Sequence, residues 1–95
     1  MKPVKTTAWD PAVYLRSEEE ITAYLNEAFS TNDTQLIISA IGDVARARGM
    51  SRVAEDVDCG RESLYKSLSQ NGNPSFITIL KVMSSLGYVL KPSHV

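Results

Sequence analysis

The chain has 95 residues, of which 43% are hydrophobic and 22% charged, a balance that supplies one small core and implies neither a disordered chain nor a second domain. Ten basic and eleven acidic side chains leave a formal charge of −1, which argues weakly against a nucleic-acid partner, since DNA-binding domains are often strongly basic. No apolar run approaches the roughly 20 residues a bilayer span requires, and MKPVKTTAWD at the front has no apolar signal segment; the reading is a cytoplasmic protein with no membrane partner.

Residues 1–16 read as an N-terminal arm. Within it Asp10 and Pro11 offer an N-cap followed by proline at the first helical position, opening a short helical turn through Ala12, Val13, Tyr14 and Leu15. Ser17 and Glu20 then form a capping-box pattern. Ile21, Tyr24, Leu25, Ala28 and Phe29 follow at helical spacing, which predicts an amphipathic helix over 18–29 with an acidic first turn. Asn32 with Gln35 is a second capping-box candidate, ahead of a helix over 34–48 whose stripe is Ile37, Ala40, Ile41, Val44 and Ala47. Gly49 ends it. Gly42, in mid-helix, costs up to about 1 kcal/mol there and points to close packing at that level.

From Ser51 the spacing becomes specific. Ser51 can cap a helix over 52–57 with Val53, Ala54 and Val57 inward. Asp58 takes the turn, Cys59 points inward, and Gly60 precedes a helix over 61–69 with Leu64 and Leu68 inward. Two helices that cross steeply over a short turn leave no space for a long side chain at their closest approach, which is the role of Ala54. Residues 51–68 thus read as a helix-turn-helix motif. A loop at 69–74 leads to a last helix opened by Pro74 and Ser75, with Phe76, Ile79, Leu80, Met83 and Leu86 at helical intervals and Gly87 as its C-cap. Tyr88, Val89 and Leu90 form a short apolar extended segment. The expected fold is all-α, a single domain of about five helices over 1–95.

With Leu64 and Leu68 in the core, the second short helix presents Arg61, Glu62, Tyr65, Lys66 and Ser69 outward. A helix of this size fits the major groove of double-stranded DNA. Arg61 can take guanine or a phosphate, Glu62 a cytosine amino group, and Tyr65 and Lys66 backbone or a thymine methyl. Gln70, Asn71 and Asn73 in the following loop can hold phosphates, as can Arg52 at the start of the first short helix. Arg46 and Arg48 are weaker candidates, since basic residues suit a helix C-terminus on electrostatic grounds alone. Charge is graded along the chain. Residues 1–33 carry three basic and six acidic groups, 34–72 five of each, and 73–95 two basic and no acidic groups. A locally neutral reader needs a dimer to accumulate phosphate contacts, and the acidic front suits a basic protein partner. Candidates for that contact are Trp9, Tyr14, Glu18, Glu19 and Glu20. Tyr88, Val89 and Leu90 are too apolar to stand in solvent, so they either close the core or pair with the same segment of a second subunit.

No enzyme is expected. His94 and Cys59 are the single residues of their types, and neither has a base or metal-ligand partner at useful spacing. No catalytic residue, metal or cofactor is assigned, and no glycine-rich phosphate loop is present.

WDPAVYL, SEEEITAYLNEAF, IGDVARARGMS, RESLYKSLS and GNPSFITILKVMSSLGYVL occur in that order between Trp9 and Leu90. In them the chain resembles the small addiction-module antidote proteins, antitoxins of the HigA-like class with a lambda-repressor-like, XRE-like helix-turn-helix domain. The resemblance implies a compact helical homodimer encoded beside a toxin of the RelE/ParE-like class, which it binds and neutralises while repressing its own operon. It assigns operator reading to Arg61, Glu62, Tyr65 and Lys66. Two positions depart from the family pattern, Asp58 for glycine and Gly60 for serine. Asp tolerates the left-handed turn at some strain, but it adds negative charge near the proposed phosphates. A transcriptional regulator without a toxin, and a helical interaction module without DNA binding, are the alternatives.

Overall fold

The computed structural model describes residues 10–94, and Trp9 and the front of the expected arm lie outside them. A 3-10 turn, Pro11–Tyr14, is followed by α1 (Glu18–Ser30), α2 (Thr34–Arg48), α3 (Met50–Val57), α4 (Arg61–Ser67) and α5 (Phe76–Ser85). The fold is all-α, with five α-helices and no strand among the described residues. No helix among them is long and apolar enough to cross a membrane.

The helix ends follow local chemistry. Asp10 accepts the Ala12 N–H at 3.1 Å and opens the 3-10 turn. Ser17 Oγ accepts from Glu20 N at 3.1 Å while Glu20 Oε1 accepts from Ser17 N at 3.0 Å, so both halves of the capping box are present. Ser75 Oγ likewise accepts from Thr78 N. Two further ends differ from expectation. The N-cap of α2 is Asp33, whose carboxylate accepts from Leu36 N at 3.3 Å. Asn32 instead takes φ 59°, because the chain must reverse immediately after α1, and Gln35 is thereby released for another contact. The first helix of the motif starts at Met50, without a Ser51 cap. Gly49, at φ 110°, ends α2 and starts α3 in one residue, and Met50 is buried as the first core anchor.

α2 lies at the centre. α1, α3 and the 3-10 turn all pack on it, while α5 packs on α3. Its stripe is accordingly wider than the predicted one, and Ile38, Gly42, Asp43 and Ala45 are buried in addition. Ile41, Val44, Val53, Leu64, Leu68 and Val82 are the largest fully buried side chains, each contributing about 1.5–3 kcal/mol by leaving water. A Cβ on Gly42 would stand 2.2 Å from the Leu68 carbonyl oxygen, so α2 and the end of α4 touch through backbone. That is the close packing its sequence position suggested.

α5 turns inward three of the five predicted positions, and Val82 takes a place in the stripe that Phe76 and Leu80 do not. Ile79, Val82, Met83 and Leu86 meet the core, whereas Phe76 and Leu80 are exposed at 68% and 41%. After Gly87 (φ 89°), the Tyr88 N–H reaches back to Met83 O at 2.8 Å, and the chain runs on irregularly rather than as a strand. Tyr88 and Leu90, both half-buried, pack against the chain's own core, as the first of the two roles expects of this segment.

Candidate nucleic-acid interface

α3, the turn and α4 form the helix-turn-helix geometry. Ala54, 3% exposed, is part of the core on α3, which packs on α4. Asp58 takes φ 60°, ψ 53°. Its N–H bonds to Glu55 O at 3.1 Å and the Cys59 N–H to Ala54 O at 3.0 Å, the paired bonds that close a helix through one left-handed residue. Cys59 is half-buried against the core. Gly60 precedes α4 in extended geometry and supplies no side-chain cap.

α4 holds Leu64 and Leu68 inward and leaves Arg61, Glu62, Tyr65 and Lys66 exposed around one shallow depression. Arg61 and Tyr65 also border a second depression with Gly49, Met50 and Ser51, at the start of α3. The four residues named from sequence on this helix therefore share one open face. α4 ends at Ser67, two residues earlier than expected, which places Ser69 in the loop with its hydroxyl donating to Lys66 O at 2.8 Å. Arg52 is exposed on α3 outside both depressions.

The loop that carries Gln70, Asn71 and Asn73 is exposed but held. Asn71 has φ 70°, its N–H donates to Gln35 Oε1 at 3.0 Å, and Gln35 Nε2 donates to Gly72 O at 3.3 Å. The Gly72 N–H closes onto Ser69 O, and a Cβ on Gly72 would lie 2.1 Å from Ser67 O. Gln35 is the residue that sequence reasoning assigned elsewhere. A contact across 36 positions leaves no trace in local spacing.

Arg46 and Arg48 are occupied. Arg46 bonds Asp10 at 2.5 Å and Asp43 at 2.8 Å, and Asp43 accepts the Tyr24 hydroxyl at 2.5 Å. Burial opposes the charge on Asp10, but the Arg46 hydrogen bond, the Ala12 N–H and the Arg46 charge outweigh it and hold the carboxyl below its ordinary value. Burial, then the Asp43 hydrogen bond and charge, push the Tyr24 hydroxyl far up. This network fastens the 3-10 turn and α1 to α2. Arg48 pairs with Glu18.

The candidates for a protein partner separate in the same way. Glu18 is tied to Arg48 and to the Tyr88 hydroxyl. Glu20 is committed to its capping box, and its N–H bonds from Arg16 and Ser17 hold its carboxyl below the ordinary range. Glu19 and Tyr14 are exposed. Val89 is 82% exposed, in contrast to its neighbours on either side. Among the described residues no three His, Cys, Asp or Glu side chains converge to hold a metal ion.

Residues 5–94 match the family described as probable addiction module antidote protein. An uncharacterized protein of Haemophilus influenzae is 54% identical over 78 residues, 82% of this chain and 80% of that protein. No solved structure matches.

Proposed function

The chain belongs to the family of addiction-module antidote proteins, and on that premise we propose that it is the antitoxin of a type II module, acting at two surfaces. It binds and neutralises a toxin of the RelE/ParE-like class, and as a homodimer it represses its own operon by seating α4 in the major groove of operator DNA.

The observation that carries the DNA half is the open face of α4. Arg61, Glu62, Tyr65 and Lys66 are exposed together on a short helix whose other side is locked by Leu64. Arg61, in the first turn, is placed to reach a base edge, and Lys66 in the last turn to reach a phosphate. Asn71 and Asn73 follow α4 in an exposed loop that Gln35 braces through the Asn71 N–H and the Gly72 carbonyl. A preformed loop loses less conformational freedom on binding than a mobile one.

Gel-shift titration with the chain's own promoter at stated salt tests this. Arg61→Ala should cost about 1–3 kcal/mol and relax discrimination at one base position. Lys66→Ala should weaken all sequences alike and flatten the dependence on salt by about one phosphate contact. An exposed negative charge, Asp58, sits in the turn ahead of α4, which favours one second reading, an interaction module that has lost its operator. Absence of any shift with the unmodified chain would select it.

The acidic first turn of α1 supports a cationic protein partner. Exposed apolar surface for a second copy is offered by Phe76, Ile77 and Leu80 on α5 and by Val89 beyond it.

A further inference from the structure

α1 and the segment after α5 enclose a groove that no role above uses. Its floor is Leu25, Phe29 and Met83, one wall is α1, and the other is the chain from Tyr88 to Ser93, around a volume of ≈ 510 Å³. Thr22 and Asn26, one helical turn apart, line this groove and also a second depression of ≈ 410 Å³ bordered by Glu18, Glu19 and Ala23. The two adjoin along α1 through these shared residues, so a groove with an apolar floor lies beside two carboxylates.

The wall formed by the C-terminal segment is fixed at its root and open along its length. The Tyr88 hydroxyl bonds to Thr22 Oγ1 at 2.7 Å and Glu18 at 3.2 Å, and Leu90 packs on the core. Among the described residues, no backbone-to-backbone hydrogen bond is made from 89–94. The backbone N–H and C=O groups of this irregular segment, Pro92 having no N–H, are left to bond water or another chain.

Charge selects the occupant. Glu18 is already neutralised by Arg48, whereas Glu19 has no ion-pair partner among the described residues, so one cation from outside is accommodated there. Lys91 lines the groove. Nucleic acid would set its phosphates against Glu18 and Glu19. A second copy seated here through another of its faces would make a head-to-tail contact, which builds a ring or a filament rather than a two-fold dimer.

We propose that this groove is the toxin-binding site, taking a segment of the toxin that carries an apolar anchor over Leu25, Phe29 and Met83 and a basic side chain at Glu19. The inference rests on the antitoxin reading and names its surface. It moves the contact from the arm and the acidic turn alone to the groove between α1 and the C-terminal wall.

The test uses the full chain and the toxin-like protein encoded beside it, with affinity measured by calorimetry. Glu19→Lys and Asn26→Trp are each expected to weaken the complex about tenfold or more, whereas Glu27→Lys, the same charge change on α1 outside the groove, should alter it by no more than about twofold. All three substitute exposed positions, and unchanged melting and promoter binding would show each variant folded. If Glu19→Lys and Asn26→Trp bind as tightly as Glu27→Lys, the groove assignment falls and the antitoxin reading stands. No complex between the neighbouring protein and the unmodified chain would end both. Self-association of the free chain that Asn26→Trp abolishes would give the groove to a second copy and overturn the proposal.

Discussion

Asp43 is the most consequential single side chain outside the motif. It is buried in mid-helix with Tyr24 and Arg46 as its partners, so removing it strands a half-buried hydroxyl and leaves the half-buried Arg46 guanidinium with Asp10 alone. Asp43→Ala should therefore destabilise the fold by about 2–3 kcal/mol, against about 1 kcal/mol for Tyr24→Phe, which leaves the Arg46 pair in place. Urea unfolding of the two variants checks the order, and equal losses would show that the hydroxyl, rather than the ion pair, carries the network. Asp10 adds a pH dependence. Its folded carboxyl titrates below the ordinary aspartate value, so the stability it gives is complete above about 3.9 and is lost as pH falls through the lower folded value. Asp10→Asn should flatten the fall in melting temperature on that acid limb and leave its slope near neutrality unchanged.

At the scale of the helix, the motif depends on two small residues with opposite tolerances. Gly60 lies in extended geometry, and a Cβ there would meet only Ser63 Oγ at 3.8 Å. Gly60→Ser should supply the missing cap and raise stability by a few tenths to about 1 kcal/mol in thermal unfolding. Gly42 is the reverse case, since its added methyl would drive into the Leu68 carbonyl. Gly42→Ala should cost more than about 1 kcal/mol and tilt α4, which weaker promoter binding in gel shifts would report. Such local chemistry is what the sequence made legible. Ser17 and Glu20, Asp58 at the turn, Ala54 with Leu64 and Leu68, and the outward set on α4 all follow from spacings within a turn or two. What escaped it was set by distant partners. Gln35 meets Asn71, Arg46 meets Asp10, and the inward stripe of α5 is decided by how it lands on α3, so Phe76 and Leu80 point out although their spacing reads as core. Ser51 failed as a cap because Gly49 joins two helices without a linker, a choice made by burial of Met50 and not by capping preference.

For the whole molecule, the charge distribution and the apolar surface argue together for a symmetric pair. A chain of net charge −1 has few cations free for phosphate once Arg46 and Arg48 are internally paired. Two copies double the phosphate contacts of Arg52, Arg61 and Lys66, and the exponent of the salt dependence doubles with them. Phe76 and Ile77, 68% and 66% exposed, stand one position apart at the start of α5, with Leu80 one turn on. A face of this kind, self-complementary across a two-fold axis, closes with two copies, and a dimer of helix-turn-helix units can then address half-sites about one DNA turn apart. Analytical ultracentrifugation of the full chain at micromolar concentration should find a dimer. Ile77→Glu should give a folded monomer with promoter affinity lowered by about tenfold or more, while its affinity for the toxin, proposed above to bind at the α1 groove, should stay unchanged. A dimer that survives this substitution would move the interface off α5, and a monomer that still shifts the promoter at full strength would show that one copy of α4 suffices.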